Sequence, residues 1–142
     1  MEYRYGSHTV FNIEYHFVWV TKYRYHMLTG DVGMRVRELV RQTCESFEIK
    51  IIKGVVSKDH VHIFVSAPPT MAPSEIMRRI KGRTASKLFE EFPTIKKRYW
   101  GRHFWARGFF CATSGQVTDE MIKNYLEHHF EPNKDDNFRT ES

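Results

Sequence analysis

The stretch KDHVHIFVS, residues 58–66, carries histidines at positions 60 and 62. Side chains alternate across an extended strand, so His60, His62 and Phe64 share one face while Val61, Ile63 and Val65 share the other. Two imidazoles projecting in parallel can hold one metal ion. Such pairs also occur as plain surface features, and the pair alone leaves both readings open. A second stretch, IKNYLEHHF at 122–130, places Tyr125 and His129 four residues apart on one helical face, with His128 slightly off it. A tyrosine hydroxyl, with an ordinary pKa of about 10, is a nucleophile only where its developing charge is stabilised. The same helix also reads as merely amphipathic, with Ile122, Leu126 and Phe130 as its core stripe, Tyr125 at the border and the histidines solvated. The two stretches make a site only if the fold brings them together.

The elements that would do so are legible in the surrounding pattern. FNIEYHFVWV (11–20) alternates with Ile13, Tyr15, Phe17 and Trp19 on one side, which predicts a strand. From Asp31 to Phe47, Val32, Val36, Leu39, Val40 and Phe47 recur at helical spacing among charged residues, which predicts an amphipathic helix. Residues 48–56 and 60–67 read as two strands of a hairpin, with Gly54 as a candidate bulge. A second helix starts near Pro73 and Ser74, has Ile76, Met77, Ile80, Leu88, Phe89 and Phe92 as its buried stripe, and is closed by Pro93. Gly82 inside it costs roughly 1 kcal/mol relative to alanine; close approach of a ligand, or helix packing or a kink, would each account for it. HFWARGFFCAT (103–113) reads as a fourth strand, Ser114–Gln116 as a hinge, and Thr118 with Asp119 and Glu120 as the start of a last helix. Residues 1–8 are expected to be loosely ordered.

The order is strand, helix, strand, strand, helix, strand, helix. This predicts an α+β chain whose first six elements form a ferredoxin-like or RRM-like antiparallel sheet (βαββαβ), with an additional C-terminal helix carrying Tyr125. One domain spans 1–142, with an ordered core over about 9–130 and a polar tail over 131–142. In such a sheet the first and third strands are central and two helices cover one face. Val61, Ile63 and Val65 then lie under the helices, and His60 and His62 lie on the opposite face, where the extra helix can cover them.

The 142 residues are 41% hydrophobic and 15% aromatic, enough for a core without disulfide or metal staples. Two cysteines, the lack of a signal-peptide pattern, and apolar runs well short of the roughly 20 residues that span a bilayer predict a cytoplasmic protein with no membrane partner. The net charge is +5, with the cations clustered in KYRYH (22–26), RRIKGR (78–83) and KKRYWGRHFWAR (96–107). Cations beside aromatic rings suit a polyanion with stackable bases, which points to nucleic acid. Trp100, Phe104 and Trp105 are candidates for base stacking, with at least one of them expected in the core.

Several segments together carry a family resemblance. His60-Val61-His62 has the form histidine, bulky apolar residue, histidine, and Tyr125 is followed four residues later by a candidate ligand. With EYHFVWVTKYRY, IKGRTASKLFEEFP and FWARGFF in the same order, the chain from Asn12 to His129 resembles the HUH-type single-tyrosine transposases of bacterial insertion sequences, the TnpA-like, IS200-like branch. The resemblance implies a transposase that cleaves and rejoins single-stranded DNA through a 5′-phosphotyrosine. It assigns the nucleophile to Tyr125 and the ligands of a divalent metal, Mg2+ or Mn2+, to His60, His62 and His129. It further implies recognition of DNA hairpins at element ends and a homodimer with composite active sites. Lys22, Arg24, Lys81 and Arg83 stand where such enzymes place basic residues near the DNA. The family usually has glutamine where His129 stands, and a three-imidazole site leans from magnesium toward manganese or another transition ion. His128 competes with His129 for the third position. A domesticated palindrome-associated relative and a cleavage-inactive hairpin-binding regulator are the alternatives.

Overall fold

The strand pattern that puts Phe17 and Trp19 on one face has its counterpart in the structure, a computed structural model that describes residues 3–113 and 117–130. A two-stranded ribbon, β1 (Arg4–Tyr5) and β2 (Val10–Phe11), precedes β3 (Ile13–Val20). A 3-10 turn at Lys22–Arg24 leads to α1 (Gly30–Ser46), the hairpin β4 (Lys50–Val56) and β5 (His60–Ala67), and α2 (Pro73–Glu91). A short α3 (Pro93–Arg98), β6 (Phe110–Thr113) and α4 (Asp119–Phe130) follow. The main sheet has the order β4-β5-β3-β6, with every neighbouring pair antiparallel.

The core lies between one face of this sheet and α1 with α2. Phe17, Trp19, Val61, Ile63 and Val65 from the strands meet Val36, Leu39 and Val40 of α1 and Ile76, Ile80 and Leu88 of α2, all at most 3% exposed. The alternation that buries these residues turns His16, Val18, His60, His62 and Phe64 to the other face. There α4 packs against β3 and the 3-10 turn, and Val18 and Val20 are buried although they face away from α1 and α2.

Five expectations are corrected. Residues 1–8 include β1, whose Arg4 guanidinium donates to the carbonyls of Ser66 (3.0 Å) and Glu48 (2.8 Å); a two-residue strand is too short to show a period. The bulge falls between Ile51 and Lys53, and Gly54 stays paired with Ile63. Pro93 opens α3 as well as closing α2, since its fixed φ suits a first helical turn. The fourth strand begins only at Phe110. Adjacent residues of a strand face opposite sides, yet Phe104 and Trp105 both enter the core (0% and 6% exposed), so the backbone there leaves the ladder. Trp105 nonetheless bridges Thr21, and its indole N–H donates to the buried Thr84 hydroxyl at 2.8 Å. In the stripe of α2, Phe89 and Phe92 are only partly buried, while Thr84 is fully buried. Ser114–Gln116 and the tail 131–142 lie outside the described residues. Among the described residues no helix is long and apolar enough to cross a membrane.

Candidate active site

His60 and His62 project from β5 onto the face that α4 covers. The side-chain carboxylate just before them organises the first of the pair. Asp59, 6% exposed, accepts from the His60 ring through Oδ1 (Nδ1 at 2.8 Å) and from the Arg24 guanidinium through Oδ2 (Nε at 2.9 Å). Burial would raise the Asp59 carboxyl, but its His60 and Arg24 partners outweigh it and hold the group below its ordinary value. A carboxylate on Nδ1 keeps the proton there and leaves the Nε2 lone pair of His60 for a ligand.

His62 has a different neighbour. Its Nε2 lies 3.3 Å from Nδ1 of His16, which stacks on Phe64 with ring centroids 4.2 Å apart. Burial, reinforced by His16, His60 and Lys53, lowers the His62 pKa, so the ring stays neutral near pH 7. Burial does the same to His16. Three imidazoles thus sit on adjacent central strands.

The turn after β3 ties this group to α4. Tyr23 and Arg24 are both left-handed (φ 61° and 52°), a conformation costing about 1 kcal/mol or more per residue. The Thr21 hydroxyl donates to the Tyr25 carbonyl at 2.7 Å, and the Thr21 N–H donates to the Asp59 carbonyl at 3.0 Å, which holds the turn against β5. So placed, Arg24 also donates from Nη1 to the carbonyl of Leu126 in α4 (3.1 Å). The residue before it, Tyr125, is half-buried with its ring 5.9 Å from that of Phe110, and burial pushes its phenol above the ordinary value. Thr118 caps the helix by accepting from the Met121 N–H (3.1 Å).

Residues 9–129 match the family described as Transposase IS200 like. The chain belongs to that family. It is 34% identical over 128 residues to the transposase for insertion sequence element IS200 of Salmonella typhimurium, a match covering 90% of this chain and 84% of the relative. The crystal structure of a proposed transposase from Deinococcus radiodurans is similar with a TM-score of 0.82 at 27% identity, over 89% of this chain and 97% of that one. A REP-associated tyrosine transposase, solved bound to a REP hairpin, shares the fold at a TM-score of 0.55 and 15% identity, over 90% and 75% of the two chains. Transposases cut and rejoin DNA, so this IS200-like transposase belongs among the DNA-cleaving and strand-transferring enzymes.

The structure of this IS200-like transposase brings His60, His62 and the backbone of the Tyr125 helix to one sheet face. His60, with its carboxylate partner, and the neutral His62 have the donor chemistry of metal ligands. Among the described residues, no group of three His, Cys, Asp or Glu side chains is placed to hold an ion. His129 falls on α4 with its side chain outside the described residues, and the exposed His128 hydrogen-bonds the Asn124 carbonyl through Nδ1 (2.8 Å).

The four basic candidates divide. Arg24 is an internal tie to Asp59 and Leu126, and Lys81 donates to the carbonyls of Ala106 (2.8 Å) and Gly108 (2.9 Å), with burial lowering its pKa. Lys22 lies 5.4 Å over the Tyr23 ring. Arg83 is exposed and, with Arg78, Arg79 and Gly82, lines a cavity of about 520 Å³ between α1 and α2. A Cβ at Gly82 would meet nothing within 4 Å, so close packing does not require the glycine. His16, Asp59 and the Arg24 contacts escaped the sequence reading; the alternation of EYHFVWV already put His16 opposite the core-facing Phe17, and that was the available signal.

Proposed function

We propose that this transposase cleaves and rejoins single-stranded DNA at insertion-sequence ends, with Tyr125 as nucleophile. The sheet is read as ferredoxin-like, in one domain with the tyrosine helix appended. The observation that carries the proposal is the Asp59-oriented His60 beside His62, on the same sheet face that α4 covers. The Tyr125 hydroxyl attacks the phosphorus, the bond to the 3′ oxygen breaks, and the products are a 5′-phosphotyrosine and a free 3′-OH. One ester replaces another, so the reverse attack by a different 3′-OH rejoins strands without an external energy source. The phenol proton leaves as the new bond forms, and the 3′ oxygen acquires one. A neutral, partly buried phenol is a weak nucleophile, so the site must stabilise the charge that develops. His60, His62 and His129 would hold a divalent ion, Mg2+ or Mn2+, which when bound supplies Lewis acidity toward the phosphate. Recognition of end hairpins is part of the reading, supported by the REP hairpin bound to a transposase of this fold. So is a homodimer with composite sites.

Incubation with single-stranded end DNA and Mn2+ or Mg2+, followed by a denaturing gel, is expected to give a covalent protein–DNA band that Tyr125→Phe abolishes. A band retained in Tyr125→Phe removes Tyr125 as nucleophile. Mixing Tyr125→Phe with His60→Ala chains tests composite sites: restored cleavage requires that the tyrosine and histidines come from different subunits.

A further inference from the structure

Two of the basic and aromatic clusters, more than 70 residues apart in sequence, form one surface. Tyr25 and Tyr99 lie with ring centroids 5.4 Å apart, the Arg98 guanidinium sits 4.0 Å over the Tyr25 ring, and the Tyr99 hydroxyl donates to the Lys22 carbonyl at 3.4 Å. Trp100 follows Tyr99 in the chain. It is 86% exposed, so it contributes little to the core, and its backbone is left-handed (φ 58°), a conformation a bulky side chain rarely adopts. Tyr23, 59% exposed and also left-handed, has the Lys22 ammonium over its ring. Backbone outliers of this kind recur at ligand sites, and here each turns an aromatic ring to solvent. Cations at Lys96, Lys97, Arg98 and Arg102 bracket Trp100 in sequence, and the surface adjoins the site through Arg24, which bonds Asp59 beside His60.

We propose that Lys22, Tyr23, Arg98 and Trp100 form a docking surface for unpaired nucleotides of a single DNA strand, with Trp100 stacking on a base and the cations meeting phosphates. Rings accept any unpaired base, and cations beside them track the backbone. A duplex offers the phosphates but not the base faces. The proposal rests on the function proposed above in taking single-stranded DNA as the substrate.

Tryptophan fluorescence of the full chain tests it, because Trp19 and Trp105 are buried and Trp100 alone of the three is exposed. Titration with the oligonucleotide dT12 is expected to quench the emission, and a blunt 12-base-pair duplex at the same concentration is expected to quench it far less. Trp100→Ala is expected to weaken dT12 binding roughly 5- to 150-fold, with Trp100→Phe recovering part of the loss. Arg98→Ala is expected to make the dependence of log affinity on log salt shallower by about 0.7. Unchanged dT12 affinity in Trp100→Ala overturns the proposal, as does equal quenching by the duplex. If Trp100→Ala changes sedimentation but not DNA binding, the ring is a contact between copies and the proposal also fails. No covalent band from the unaltered chain, with dT12 binding intact, would sink the nucleophile and leave this surface standing. The opposite pattern would do the reverse.

Discussion

Asp59→Asn is a sharp perturbation because the two carboxylate oxygens have separate duties: Oδ2 accepts from Arg24 at 2.9 Å, and Oδ1 accepts from His60 at 2.8 Å. An asparagine amide has one acceptor and one donor end. If its oxygen faces Arg24, its NH2 faces His60 Nδ1, and the imidazole must move its proton to Nε2, where it blocks ligation. If its oxygen faces His60, the NH2 meets the guanidinium and the anion is gone. The second outcome loses a charge-assisted, largely buried contact, about 1.5–3 kcal/mol. The first keeps more stability but costs roughly 10–100-fold in metal affinity or activity, the usual consequence of disturbing the partner of a ligating histidine. Urea denaturation at pH 7 reads the stability arm, and single-turnover cleavage with Mn2+ reads the other. Asp59→Asn should fail in at least one. A variant within about 0.5 kcal/mol of wild type that also cleaves at the wild-type rate would refute the assignment of Asp59 as the group orienting His60.

Thr84→Val should cost about 1–3 kcal/mol in urea denaturation, because the Trp105 indole N–H loses its buried acceptor while the replacement matches the shape. Native thiol labelling should modify Cys111, which is exposed, and spare Cys44, which is buried with its pKa pushed up to about 12; equal labelling would contradict the packing of α1. Arg35 joins α1 to α2 through a paired contact with Glu91 (2.7 and 2.8 Å) that lowers the Glu91 pKa from its ordinary 4.5. A lowered folded pKa means stability fully present above that ordinary value and lost as pH falls through the folded one. Arg35→Gln should therefore lower stability across the neutral region and flatten the acid side of the profile below pH 4.5, where the variant and the unaltered chain converge, as measured by thermal unfolding.

Strand β5 was legible to the residue, His60–Ala67, because Val61, Ile63 and Val65 alternate strictly with the histidines. The two long helices were nearly so, since each keeps an apolar stripe at helical spacing over four or more turns. Where local pattern and tertiary demand conflict, the pattern misled: Phe104 and Trp105 read as strand residues but both fill the core. The candidate site was half legible. A histidine pair and a tyrosine announce chemistry by type, whereas His16 and Asp59 matter through partners across the sheet, and those partners depend on register. The family resemblance put Arg24 among the basic residues near the DNA, yet a left-handed turn aims it at Asp59 and Leu126, and no periodicity encodes that turn.

The two faces of the sheet also differ in how firmly they hold what covers them. The helices α1 and α2 bury whole rows of side chains against β3 and β5, but no side chain of α4 among its described residues is fully buried, and Met121 is 40% exposed. The α4 helix is tied by the Arg24 bond to Leu126 and by the contact of Tyr125 with Phe110. Elements with few buried contacts open at low free energy. Opening α4 would break the Arg24 bond to Leu126, but the bonds that Thr21, Arg24 and His60 donate to Asp59 involve no atom of α4. His60 therefore keeps its orienting carboxylate even with α4 opened. A site that receives its nucleophile from another subunit needs that independence.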